Sequence, residues 1–337
     1  MTAAPNARLP RRQILVGDVR TRLAELPSAS VDTVITSPPY FQLRSYGHYK
    51  QLGLEPNVDA WVSNLVDVCR ELARILKPTG SLWLNVGDSY SIHPRQGAPK
   101  KSLLLGPERL AIALLQEGWI VRNSIIWSKT NPMPTSVRDR LGCTYEVVYF
   151  LVRSHSYYFD LDAIREPIIT VAKKRPKAVG YRYLPDDALP PDAGFDDDRG
   201  LSQLKAEGRA GHPCGKNPGD VWQLPTAAFR GRHFATFPQG LVERPLLATC
   251  PEKVCAACGA PWQRESVDRS LAVPVLGQLR PGCGCQADTV PGTVLDPFMG
   301  AGTTGLVAEK HDRDWLGVEV NPRFARLAEA RIAAARK

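Results

Sequence analysis

No stretch of this 337-residue chain approaches the roughly 20 consecutive apolar residues that a membrane span needs. The start, Met1-Thr2-Ala3-Ala4-Pro5-Asn6, lacks an apolar signal core, so the expected location is the cytoplasm, with no membrane partner. Internal repeats are lacking, which excludes a repeat array. Acidic residues are in short supply: 34 Asp and Glu face 43 Lys and Arg, giving a net charge of +9. Such an excess is expected of proteins that neutralise phosphates, although a basic enzyme with no polyanionic partner would show it too. Disulfides are not expected in a reducing compartment, so the eight cysteines are read for metal-ligand spacing. What is present is ordinary globular material, 43% hydrophobic and 23% charged, enough for one catalytic domain with insertions or two modest domains.

Apolar periodicity alternates between strand and helix. Ile14-Leu15-Val16 reads as a strand, Gly17-Asp18 as a turn, Val19 to Leu26 as a short helix and Val31 to Ile35 as a second strand. Trp61, Leu65, Val68, Leu72 and Ile75 recur at helical steps until Lys77-Pro78-Thr79-Gly80 breaks the pattern, and Ser81 to Val86 follows as a buried strand. A helix and strand are predicted between Pro107 and Trp127, a strand over Glu146 to Leu151, and a helix over Gly240 to Ala248. From Thr293 a strand, a glycine turn and a helix close the pattern, so a doubly wound α/β sheet is expected. Periodicity fades from Ile168 to Phe234, as in an inserted loop region.

Two short runs carry chemistry. In the first, Ser37-Pro38-Pro39-Tyr40 follows directly on a strand. Two prolines fix φ and remove both N–H donors, leaving rigid carbonyls at a strand end, where α/β sheets bind substrates. An exocyclic amine on a nucleobase is a poor nucleophile because its lone pair is delocalised into the ring. Acceptors such as Ser37 Oγ and the Pro38 carbonyl can draw its N–H groups out of plane, while Tyr40 offers a ring for stacking. The second run, Asp296-Pro297-Phe298-Met299-Gly300-Ala301-Gly302, joins a strand to a helix beginning at Thr303. Its glycines and the helix N–H groups suit a nucleotide-like ligand, and Glu319 at the next strand end can accept from ribose hydroxyls. Gly300, Gly302 and Gly305 fit a dinucleotide spacing, but Pro297, Phe298 and Met299 separate the strand from the first glycine, which argues against a nicotinamide or flavin site.

In this order the two runs resemble the amino-methylating DNA methyltransferases of the circularly permuted β group, in which the catalytic tetrapeptide precedes the S-adenosylmethionine loop. Leu82 to Tyr90, Ile126 to Pro134 and His233 to Pro238 resemble further family blocks, so the likeness spans most of the chain outside about 168 to 230. It implies a Rossmann-like fold and direct methyl transfer from S-adenosylmethionine to a base flipped out of duplex DNA. Ser-Pro-Pro-Tyr resembles the cytosine-N4 enzymes, adenine-N6 being the alternative; a catalytically inactive DNA-binding protein and a dinucleotide oxidoreductase are the rivals from other classes. The resemblance places Ser37, Pro38, Pro39 and Tyr40 in catalysis. It places Asp18, Phe237, Asp296, Pro297, Phe298, Gly300, Gly302, Thr303, Thr304, Glu319 and Asn321 around the cofactor, with a plain turn as the other reading of Asp18. Asp88 and Lys129 either face the cleft or serve as a cap or a solvated charge. Implied partners are double-stranded DNA and a cognate restriction endonuclease, for a nucleoid-associated monomer or homodimer.

Cys255-Ala256-Ala257-Cys258 and Cys283-Gly284-Cys285 pair at knuckle spacings that suit a closed four-thiolate zinc site, free loop thiols being the alternative. Cys250 is a substitute ligand, and Lys253, Arg264, Arg269 and Arg280 give that insert charge to meet DNA. His212-Pro213-Cys214, a Pro-Cys pair of the kind that cytosine-C5 enzymes use as nucleophile, sits in irregular sequence and reads as a loop thiol. The expected layout is a catalytic half over 12–167, a target-recognition insert over 168–232, a return over 233–249, a zinc insert over 250–286 and a cofactor segment over 287–337. Lys173, Lys174, Arg175, Lys177, Arg182, Lys205 and Arg209 equip the recognition insert for phosphate or base contacts.

Overall fold

The computed structural model describes residues 9–167, 212, 214–227, 237–265 and 276–336. Most of the expected recognition insert, including all seven of its cations, lies outside the described residues, as do Arg269 and His233 to Thr236. The chain divides into two compact units. One comprises Met1–Asp160, Gly219–Arg264 and Leu279–Lys337; the other comprises Leu161–Pro218 and Glu265–Gln278. In the smaller unit Arg165 Nε donates to Asp162 Oδ1 at 2.6 Å, and Glu166 bridges to Lys216.

The larger unit holds the strands β1 (Gln13–Val16), β2 (Val31–Thr36), β3 (Leu76–Val86), β4 (Ile120–Lys129), β5 (Tyr145–Val152), β6 (Val221–Leu224), β7 (Val254–Cys255), β8 (Gln263–Arg264), β9 (Leu279–Arg280), β10 (Thr289–Val290), β11 (Thr293–Asp296) and β12 (Asp314–Glu319). Its helices are α1 (Val19–Ala24), α2 (Val58–Ile75), α3 (Gly106–Gln116), α4 (Gln239–Thr249), α5 (Thr303–Lys310) and α6 (Pro322–Ala335). Eight strands form one sheet in the order β1-β12-β11-β2-β3-β5-β4-β6. All neighbours are parallel except where β5 runs against β3 on one side and β4 on the other. Helices α1, α2 and α3 pack into the core on one face, and α4, α5 and α6 into the core on the other. None of the described helices is long and apolar enough to cross a membrane.

The expected periodicities produce these elements. Asn57 caps α2 by accepting from Ala60 N at 2.8 Å, and Trp61, Leu65, Val68, Leu72 and Ile75 are each at most 2% exposed. Burial of each such side chain contributes about 2 kcal/mol, so packing rather than propensity holds the helix. The strand after α2 starts at Leu76 rather than Ser81, because Pro78 and Gly80 ride in an irregular first part whose register with β2 shifts between Val31 and Thr33. Val221–Leu224, read as part of the insert, is the sheet's edge strand and pairs with β4.

Candidate active site

Four strands of the sheet, β3, β4, β5 and β12, and the loops after β1, β2 and β11 line one cavity of about 580 Å³ at the carboxyl ends of the parallel strands, where such folds bind ligands. One end of it begins immediately after β2. Ser37, Pro38, Pro39 and Tyr40 all line it, and Trp61 Nε1 donates to the Pro39 carbonyl at 2.9 Å, pinning the proline turn to α2. The Tyr40 ring lies against the backbone of Gly87, where an added Cβ would sit 2.6 Å from Tyr40 Cε2, so only glycine admits the ring there. Tyr40 Oη donates to Glu146 Oε2 at 2.5 Å and lies 3.1 Å from Ser37 Oγ. Burial first, and then the neighbouring Glu146 carboxylate, raise the Tyr40 hydroxyl pKa well above its ordinary value, so the group stays a donor. Asn85 Nδ2, from β3, donates to Tyr40 Oη at 2.8 Å, Glu146 Oε2 at 2.8 Å and Ser37 Oγ at 3.3 Å. Lys129 Nζ, from β4, donates to Glu146 Oε1 at 2.7 Å.

The other end of the cavity is the glycine loop. Pro297, Phe298, Gly300, Ala301 and Thr303 line it between β11 and α5, and Glu319 at the end of β12 faces them. Glu319 accepts from Gly300 N at 2.8 Å and from Asn321 N at 2.9 Å, one backbone donor per carboxylate oxygen. Burial raises its pKa despite these donors. Gly302 caps α5 at φ 77°, a left-handed conformation that glycine adopts without strain.

Sequence reasoning named Ser37, Pro38, Pro39, Tyr40, Phe237, Pro297, Phe298, Gly300, Thr303 and Glu319, and the cavity brings all of them together. Asp18, Asp296, Gly302, Thr304 and Asn321 do not line it; they sit behind those residues as supports. Asp18 caps α1 by accepting from Arg20 N at 2.9 Å. Asp296 is fully buried, and accepts from Thr36 Oγ1 at 2.7 Å, Thr304 Oγ1 at 2.7 Å and Phe298 N at 3.0 Å. Burial pushes its carboxyl up to about 6 against those three donors. Asn321 caps α6 by accepting from Arg323 N at 3.0 Å. Of the two undecided residues, Lys129 lines the cavity, whereas Asp88 is taken up by the backbone N–H groups of Ser89, Leu105 and Gly106 at the start of α3. Asn85 and Glu146 were missed. Asn85 is the one polar residue of the run Leu82–Val86 and Glu146 the one charged residue of β5, the signal by which they were findable.

Away from the cavity, Cys255, Cys258, Cys283 and Cys285 bring their four sulfurs within 4.8 Å of one another. Cys250 is not among them; it is fully buried at the end of α4. Arg264 does not offer its charge outward as expected, since it donates to Asp160 at 2.8 Å and Glu252 at 2.8 Å with a side chain only 11% exposed.

A doubly wound sheet with one large cavity at its strand ends, half glycine loop and half polar network, fits the class of α/β proteins that hold a nucleotide-like ligand there. Within that class, the DNA methylase family of N6 and N4 methyltransferases matches residues 31–330, and the chain belongs to it. The Type II methyltransferase M.SmaI of Serratia marcescens is 32% identical over 95% of this chain and 90% of its own length. The cytosine-N4-specific PvuII DNA methyltransferase shares the fold, with a TM-score of 0.55 at 17% identity over 96% of this chain and 90% of its own. So does a candidate DNA modification methylase of Thermus thermophilus, solved in complex with S-adenosyl-L-methionine, with a TM-score of 0.52 at 23% identity over 96% and 95% of the two chains.

Proposed function

We propose that this DNA methylase transfers a methyl group from S-adenosylmethionine to the N4 amine of a cytosine flipped out of duplex DNA. The observation that carries this is Ser37 beside Tyr40 at one end of a cavity whose other end is the glycine loop. S-adenosylmethionine supplies a methyl group already activated on a sulfonium. The residues present fit it: Glu319 offers carboxylate lone pairs at the end of β12, Phe298 an apolar face, and Gly300 leaves room for close approach. The supports Asp296 and Thr304 fix the loop from behind. At the catalytic end Ser37 Oγ and the Pro38 carbonyl accept from the amine, Tyr40 stacks on the base, and holding the amine in line with the methyl group supplies most of the rate. No covalent intermediate on the base is required.

The order of the motifs, tetrapeptide after β2 and glycine loop after β11, supports a circularly permuted arrangement. Sequence reading falls to the insert over 168–232, apart from the edge strand Val221–Leu224, and its cations are the argument. The likeness to the Type II methyltransferase M.SmaI supports a Type II modification role, for which the proposed partner is a cognate restriction endonuclease.

The cysteine cluster is assigned one structural zinc ion. Backbone N–H groups of Cys258 and Ala257 pull the Cys255 thiol down to about 7, while the thiols of Cys258 and Cys283 push Cys285 up to about 12. Four thiols this close ionise together only around a cation, and the set leaves no open position for chemistry.

The test of the main reading is to treat unmethylated bacterial genomic DNA with the protein and S-adenosylmethionine, digest it to nucleosides and weigh them. N4-methylcytosine is the expected product. N6-methyladenine as the sole product would overturn the base assignment, and no methylated base at all would overturn the activity.

A further inference from the structure

We infer that Glu146 is a positioning residue that makes Ser37 a hydrogen-bond acceptor, acting through the hydroxyl of Tyr40; the inference rests on the role given to Ser37 above. A serine hydroxyl is a rotor that both donates and accepts. Toward an amine that must be drawn out of its ring plane only the acceptor is useful, so something must hold the Ser37 proton away from the cavity.

Counting protons along the network shows what does. Lys129 Nζ occupies Glu146 Oε1 at 2.7 Å, which leaves Oε2 as an acceptor aimed at Tyr40. Tyr40 has a single hydroxyl proton, and that carboxylate oxygen takes it. The Tyr40 oxygen can then only accept, and the hydroxyl 3.1 Å away is that of Ser37. Ser37 therefore donates to Tyr40, accepts from Asn85 Nδ2 and turns its remaining lone pair to the cavity that it lines. Asn85 enforces the same polarity. Its Nδ2 points at Ser37 Oγ, Tyr40 Oη and Glu146 Oε2, although this leaves its buried Oδ1 with no hydrogen-bond partner. Reversing that amide would set an acceptor among three oxygens, of which Glu146 Oε2 has no proton to give.

The charged carboxylate thus fixes the direction of a chain that runs Ser37 to Tyr40 to Glu146. An amide at position 146 would keep the shape and reverse the direction. With Lys129 still holding the amide oxygen, the amide N–H₂ faces Tyr40, the Tyr40 proton turns to Ser37, and the Ser37 proton turns to the cavity, donor against donor.

The test is a double-substitution cycle on the full-length protein, read as single-turnover methylation of unmethylated bacterial genomic DNA at saturating S-adenosylmethionine. Glu146→Gln should lower the rate roughly 100-fold when Ser37 is present and by less than about threefold in the Ser37→Ala background, with unchanged affinity for S-adenosylmethionine. Tyr40→Phe keeps the ring and removes the relay; it should show the same dependence on Ser37, and it carries the test if Glu146→Gln does not fold. Equal losses in both backgrounds would contradict the inference while leaving the role of Ser37 intact. A wild-type rate for Ser37→Ala itself would remove that role, and the inference with it.

Discussion

The two ends of the cavity are built by opposite means. At the glycine end, backbone N–H groups and a fixed turn do the holding, and the side chains involved, Asp296, Thr304, Glu319 and Asn321, lie in the two adjacent strand ends and the helices they enter. At the tetrapeptide end, five polar side chains from β3, β4, β5 and the loop after β2 close a single hydrogen-bonded network. A main-chain cradle tolerates change in any one side chain, because most of its donors cannot be mutated. A side-chain network does not, because each member fixes the protons of the next. Cofactor binding should therefore degrade gradually and chemistry abruptly.

The largest effect should come from the network. Ser37→Ala should slow single-turnover methylation by on the order of 100-fold or more, since it removes an acceptor used as the amine leaves its ring plane. A smaller loss, under about threefold, would mean that the tetrapeptide positions rather than activates. Next comes the metal. Chelation, or Cys255→Ser, should release about one equivalent of zinc and lower the melting temperature by several degrees, because β7 of the cysteine module pairs with β10, whose chain runs straight into β11. Freshly purified reduced protein carrying less than about half an equivalent would remove the site altogether.

Gly87→Ala should have an intermediate effect. The added methyl would push the Tyr40 ring off its place while leaving the glycine loop untouched, so the methylation rate should fall about tenfold with cofactor affinity unchanged. Equal damage to both would show that the two ends are mechanically one. The smallest effect is a slope with pH. Asp296 has a folded-state pKa near 6, raised above its unfolded value, so the folded state binds the extra proton between the two. Its contribution to stability is present in acid and is lost as pH rises through about 6. In chemical denaturation, the stability of wild type relative to Asp296→Asn should fall between about pH 4 and pH 7, and a rise would contradict the assignment.

How far the sequence disclosed each end follows from the same contrast. The glycine loop and the tetrapeptide are each contiguous, so their turn chemistry was readable residue by residue, and the helical spacing of Trp61 to Ile75 marked the buried face of α2. Glu146 and Asn85 meet Tyr40 only because β3 and β5 pair, a register that no local pattern announces across residues 87–144, which include α3 and β4. For the same reason the reversed direction of β5 went unread, and Val221–Leu224 is too short to signal an edge strand. Arg264 was misjudged because its partners, Asp160 and Glu252, are supplied by folding and not by sequence neighbours, and Asp88 stayed open between cleft and cap because the start of α3 that it caps lies 17 residues away.

The division between the two ends is tested most directly by calorimetric titration of S-adenosylmethionine into Ser37→Ala and Glu319→Ala. Ser37→Ala should bind with the wild-type dissociation constant, and Glu319→Ala should bind more weakly by about 1–3 kcal/mol for the lost charge-assisted hydrogen bonds. Loss of binding in Ser37→Ala together with normal binding in Glu319→Ala would contradict the account.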